Sequence, residues 1–111
     1  MRNAGSFAIM VGLLFAPPAI AQHNPSFYIN GQKLHEFCEK KTASDNAFCI
    51  GYVTAIADSF EHGRSKDCIP DGVGSLIVRD VISKFLVDHP NLRHLPANTL
   101  ARAALIEAYC P

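Results

Sequence analysis

The stretch SLIVRDVISKFLVD, residues 75–88, decides the fold. Its expected core positions, Ile77, Val78, Val81, Ile82, Phe85 and Leu86, follow one another at steps of 1, 3, 1, 3 and 1. That is the period of an α-helix with one buried stripe. A half-buried strand would alternate, and the β-branched content does not overrule the spacing. Ser75 is placed to cap the helix, and Asp80 and Lys84 are spaced to pair on its wet face. His89-Pro90 stops it.

The same reading extends outward. Upstream, residues 46–61 form a helix that is apolar almost all round, with Phe48, Cys49, Tyr52, Val53, Ile56 and Phe60 and alanines between them. Ser44 or Asp45 is placed as its cap. Such a helix is expected to be buried from more than one side, within the domain or at a subunit interface. Gly51 would permit a close helix–helix approach there. A shorter helix is expected over 31–41, capped by Asn30, with Leu34, Phe37 and Cys38 on one face. Arg64 opens a loop that runs to Gly74. Downstream, Pro96 suits the first position of a fourth helix over 97–109, whose inner face is Leu100, Ala101, Ala104, Leu105 and Ala108. No stretch alternates with period two over a useful length. The expected fold class is therefore all-α, a compact bundle of about four helices.

The N-terminus predicts export. Arg2 precedes the apolar segment FAIMVGLLF at 7–15, then Pro17-Pro18, then Ala19-Ile20-Ala21. This is the order of a secretory signal, and its apolar part is short of the roughly 20 residues that span a bilayer. The expected organisation is a cleaved signal peptide at 1–21 and one domain at 22–111. The destination is then the periplasm, by the general secretory route, with no membrane attachment after cleavage.

The chain carries ten Lys/Arg and ten Asp/Glu, and loses Arg2 with the signal. Nothing in it builds the basic stripe that binding a phosphate backbone needs, which argues against nucleic acid. No segment is a strongly basic amphipathic helix of the kind that lies on membranes.

Cys38, Cys49, Cys68 and Cys110 are an even set in a short exported chain, which reads as two disulfides. Their spacings fit no zinc finger or ribbon. A domain of this size buries only about 60–65% of its unfolded surface, so staples are physically useful. Four cysteines allow three pairings. Cys38 near the end of one helix and Cys49 near the start of the next would face each other in a tight αα-hairpin. Cys68 would then tie the central loop to Cys110.

Residues for chemistry are sparse. His35-Glu36 begins like a zinc-protease helix, but Glu39 stands where the second histidine is required. Asp88, His89, Arg93 and His94 cluster, as helix-end and turn residues commonly do. Gly72-Val73-Gly74-Ser75 lacks the strand and spacing of a nucleophile elbow, and oxidised cysteines leave no thiolate. Neither catalysis nor a metal or cofactor is expected.

In order, the chain carries Asn30-Gly31-Gln32-Lys33-Leu34 with Cys38, Phe48-Cys49-Ile50-Gly51-Tyr52, Cys68-Ile69-Pro70 and Val78-Arg79-Asp80-Val81. His89-Pro90, Arg93-His94-Leu95-Pro96-Ala97, Ala103-Ala104-Leu105 and Tyr109-Cys110 follow. This ordered set resembles the Rap/Tai immunity proteins, which neutralise amidase effectors of type VI secretion. The resemblance implies a periplasmic helical protein, often a homodimer, that binds a peptidoglycan-cleaving amidase and blocks it. Candidate contacts are the exposed loops. After the second helix these are Glu61, His62, Arg64, Lys66, Asp67 and Asp71; before the fourth they are Asp88, His89, Asn91, Arg93 and His94. Two other readings stand beside it: an acid-stress chaperone, which would expose apolar surface at low pH, and a small-molecule carrier, which would need a cavity among the helices.

Overall fold

Thr42 sets where the longest helix begins. Its hydroxyl accepts from the Asp45 amide at 3.3 Å and donates to the Asp45 carboxylate at 2.6 Å. The cap thus satisfies the Asp45 amide as in the first half of a capping box, while the Asp45 carboxylate holds the Thr42 hydroxyl rather than its backbone N–H. In the computed structural model, which describes residues 27–60 and 68–111, α2 accordingly runs Ala43–Asp58. It starts three residues before the expected 46, because Thr42 caps it rather than Ser44 or Asp45. The expected signal segment 1–21 with its expected cleavage site, and Glu61, His62, Arg64, Lys66 and Asp67, lie outside the described residues.

The other helices are α1 (Gly31–Glu39), α3 (Ser75–Asp88) and α4 (Ala97–Tyr109), with a single 3-10 turn, Pro90–Leu92, between the last two. Asn30 caps α1 as expected, its side chain accepting from the Lys33 amide at 2.9 Å. α1 is shorter than 31–41, since the backbone turns extended at Lys40. α3 has the expected span, but Ser75 is its first helical residue and not its cap. Gly74 holds the cap position with no side-chain bond. Pro96 likewise stands at the cap of α4, one place before its first helical residue.

Each of the four helices packs against the other three. The core takes Leu34 from α1, Val53 from α2, Val78, Ile82, Phe85 and Leu86 from α3, and Ala97, Leu100, Ala101, Ala104 and Leu105 from α4. Burying one large aliphatic or aromatic side chain contributes about 1.5–3 kcal/mol. The small residues of α4 let it lie close to its neighbours. Cys38–Cys49 and Cys68–Cys110 are bonded, with Cα atoms 5.0 and 5.5 Å apart. The first bridge closes the α1–α2 corner, and the second ties the chain before α3 to the end of α4.

Several faces differ from the periodicity reading. α2 buries only one side, through Cys49 and Val53, while Ala47, Phe48, Gly51 and Ala55 form an outward stripe. A Cβ built on Gly51 would meet nothing within 4 Å, so no helix among the described residues approaches there. Ile77 and Ala108 are exposed, the first because the buried stripe of α3 is carried by Val78, Ile82 and Phe85. Asp80 and Lys84 do not pair. Arg79 engages Asp80 at 2.9 Å, and Lys84 reaches Asp88 one turn onward at 2.8 Å.

Candidate functional site

The corner between α3 and α4 is built by two sequence segments that dock on each other. The first two amides of α1 have no partner inside their own helix. Here Gly31 donates to the Leu95 carbonyl at 2.9 Å and Gln32 donates to the Arg93 carbonyl at 2.8 Å. Ala97 returns a bond to the Ile29 carbonyl at 3.0 Å, and Asn30 and Pro96 pair as an isolated antiparallel bridge. Gly31 is buried against the same corner. A Cβ on it would collide with the Leu100 side chain and stand 3.1 Å from the Arg93 Cα.

Arg93 also closes the end of α3. Its Nε donates to the Leu86 carbonyl at 2.7 Å and its Nη2 to the Val87 carbonyl at 3.4 Å. These are carbonyls left over at a helix C-terminus, where a cation is favoured by the helix dipole. His89 adds a bond from Nδ1 to the Phe85 carbonyl at 2.8 Å, with its ring stacked on Phe85 at 4.1 Å. His89 Nδ1 and the Nε and Nη2 of Arg93 are therefore engaged within the fold.

The remaining corner residues face outward. Asp88, Asn91 and His94 are exposed, and Val87 beside them is 48% exposed although apolar. The bond from Lys84 to Asp88 holds the Lys84 ammonium above its ordinary pKa. Asp71 lies at the other end of α3, about 20 Å away by helix rise. There it lines a cavity of about 540 Å³ with Phe60, Ile69, Pro70 and Val78. The structure thus brings Asp88, His89, Asn91, Arg93 and His94 together and sets Asp71 apart from them.

A second exposed feature escaped the periodicity reading because it spans three elements. Phe48 stacks on Phe37 of α1 at 4.1 Å and lies 6.1 Å from the Tyr52 ring. With Phe27, Tyr28 and Ile29, Phe48 and Tyr52 border a cavity of about 260 Å³. Partial burial raises the Tyr52 phenol above its ordinary pKa. The signal in the sequence was the aromatic spacing itself, read as core. Among the described residues, no group of three or more His, Cys, Asp or Glu side chains is placed to hold a metal. No helix among them is long and apolar enough to cross a membrane.

Residues 30–110 match the family model of the Rap1a immunity proteins. The match begins at the cap of α1, ends at the cysteine that closes α4, and takes in the whole corner. The chain belongs to the Rap1a immunity protein family. Membership implies an immunity protein that binds a toxin effector. No curated protein and no solved structure gives a significant match to the chain.

Proposed function

We propose that this protein is exported to the periplasm, where it binds a peptidoglycan amidase delivered by a type VI secretion system and blocks its active site. The family match over all four helices carries the reading. The fold supports it in a specific way. Asn91 and His94 project from a turn whose backbone is hydrogen-bonded to α1 and whose Arg93 side chain is fastened to α3. A recognition surface held in place before binding loses little conformational entropy when it docks. Inhibition by such a surface asks nothing of acids, bases or nucleophiles. It asks for a buried anchor and a polar rim. Val87 with His94 and Asn91 offers both.

Self-association as a homodimer belongs to the same reading. The outward stripe of α2, with Phe48 and three small residues, supports it as an apolar face that the fold of one copy leaves open.

The test joins three measurements. Mass spectrometry of the exported protein should place its N-terminus at Gln22. The purified protein should capture the toxin encoded beside it with nanomolar affinity. It should also abolish cleavage of peptidoglycan stem peptides by that toxin. A toxin that is captured but is no amidase would overturn the choice of target. Failure to capture any neighbouring toxin would overturn the immunity reading as a whole.

A further inference from the structure

A cleft of about 340 Å³ lies where the end of α1 and the start of α2 meet the middle of α3, lined by Lys40, Lys41, Asn46, Arg79, Asp80 and Ser83. Cys38 also lines it, so the Cys38–Cys49 bridge fixes the corner from which the two lysines project. Three cations face one carboxylate here, in a chain whose formal net charge is zero.

Donors outnumber acceptors in this cleft. Arg79 donates from Nε and Nη2 to Asp80 Oδ1 at 3.1 and 2.9 Å, and from Nη1 to Asn46 Oδ1 at 3.3 Å. Those bonds occupy Asp80 Oδ1 and Asn46 Oδ1, leaving the Asn46 amide nitrogen as a donor. Lys40 and Lys41 are exposed and form no ion pair among the described residues. The Ser83 hydroxyl is buried and has no hydrogen-bond partner among the described residues. A buried hydroxyl left unsatisfied is costly, and native structures leave few of them. Two ammonium groups and an amide therefore border the cleft as donors, against Asp80 Oδ2 as the carboxylate oxygen that Arg79 leaves free.

The state of Arg79 selects among anions. Phosphate is gripped best by a free guanidinium fork, and this fork is already held by Asp80 and Asn46. The exposed Lys40 and Lys41 ammonium groups, one charge each on separate stems, are free to pair with one carboxylate apiece. We propose that the cleft docks carboxylate side chains from an acidic segment of a protein partner. The site lies on faces of α1, α2 and α3 separate from the Arg93 corner, and it does not depend on the partner's being an amidase.

The probe is an end-capped hexaglutamate peptide, titrated into the oxidised, isotope-labelled protein and followed by amide chemical shifts. Hexaglutamine and inorganic phosphate, at matched ionic strength, are the comparisons. Saturable shifts at Lys40, Lys41, Asn46, Arg79 and Ser83 with hexaglutamate are expected, together with weakening as salt is added. The double variant Lys40→Glu/Lys41→Glu, at exposed positions, should weaken that binding at least tenfold with an unchanged melting temperature. Lys40→Arg/Lys41→Arg should retain it. Absence of saturable shifts, shifts that survive the charge reversal, or equal binding of phosphate would each overturn the proposal. Because the peptide is read without the toxin, this result and the immunity reading fail independently.

Discussion

The amide of Gln32 donates to the carbonyl of Arg93 at 2.8 Å, so the first turn of the first helix is completed by the turn that precedes the last. The Asn30-Gly31 and Arg93–Ala97 segments of the sequence are thereby halves of one joint. Arg93 contributes its carbonyl to α1 and its guanidinium to α3, so one residue holds three elements in register. The exposed neighbours Asn91 and His94 inherit that rigidity.

Gly31→Ala should test the joint. The added methyl would meet Leu100 Cδ1 and the Arg93 backbone; Leu100 can turn aside only within a packed core, and the Arg93 backbone only by moving the turn. Overpacking of this kind costs about 1–3 kcal/mol, against which the better helix propensity of alanine returns up to about 1 kcal/mol. Urea denaturation should show a net loss. Combining it with Leu100→Ala should cost less than the two singly added together, because the second change removes the obstacle.

Arg93 and its exposed neighbours should separate stability from binding. Arg93→Ala leaves carbonyls at the end of α3 without their charged donor and should destabilise by about 1–3 kcal/mol. Asn91→Ala and His94→Ala should each stay within about 0.5 kcal/mol of the parent, as surface changes do. If the corner is the contact surface, these two variants should still weaken toxin capture at least tenfold. Thermal melts beside binding isotherms would show whether the two effects divide this way.

The disulfides should contribute unequally. The bridges close loops with sequence separations of 11 and 42 residues. Loop-closure entropy assigns them about 3 and about 4 kcal/mol respectively. Replacing Cys68 and Cys110 by alanine should therefore lower the denaturant midpoint more than replacing Cys38 and Cys49. The reverse order would mean that native contacts at the α1–α2 corner outweigh chain entropy.

Tyr52 should make stability fall at alkaline pH. Burial raises its pKa in the folded state, so the folded protein holds that proton more tightly than the unfolded chain. Its contribution is complete below the ordinary tyrosine value of about 10 and is lost as pH climbs through the higher folded value. Absorbance titration should show one phenol ionising late. Tyr52→Phe should abolish that phase and flatten the loss of stability above pH 10.

Helix content was legible because each helix carries a local signal. The 1, 3, 1, 3, 1 spacing of α3 needs no partner to be read, and Asn30 caps α1 from its own neighbourhood. The start of α2 was less legible, because Ser44 and Asp45 offered rival caps two and three residues beyond Thr42, whose bonds to Asp45 only the folded helix shows. The candidate site was less readable. Five of its residues gather at the α3–α4 corner, yet nothing local distinguishes Arg93, tied to two carbonyls, from His94, facing outward.

By itself, the sequence determined an all-helical chain and its cysteine staples, since periodicity and cysteine count act over a few residues. The ends of α1 and α2 fell two to three residues from their expected places. Tertiary structure alone decided which apolar residues stay outside and which polar groups are used up. Phe48 and Val87 carry the same chemistry as core residues, and only the packing of four helices on one another leaves them exposed. Gly31 was a helix-opening residue until Leu100 and Arg93 closed on it. Arg93 became a fastening because folding brings the end of α3 within reach of its guanidinium. Burial and hydrogen-bond partnership are properties of the assembled neighbours, and no single segment contains them.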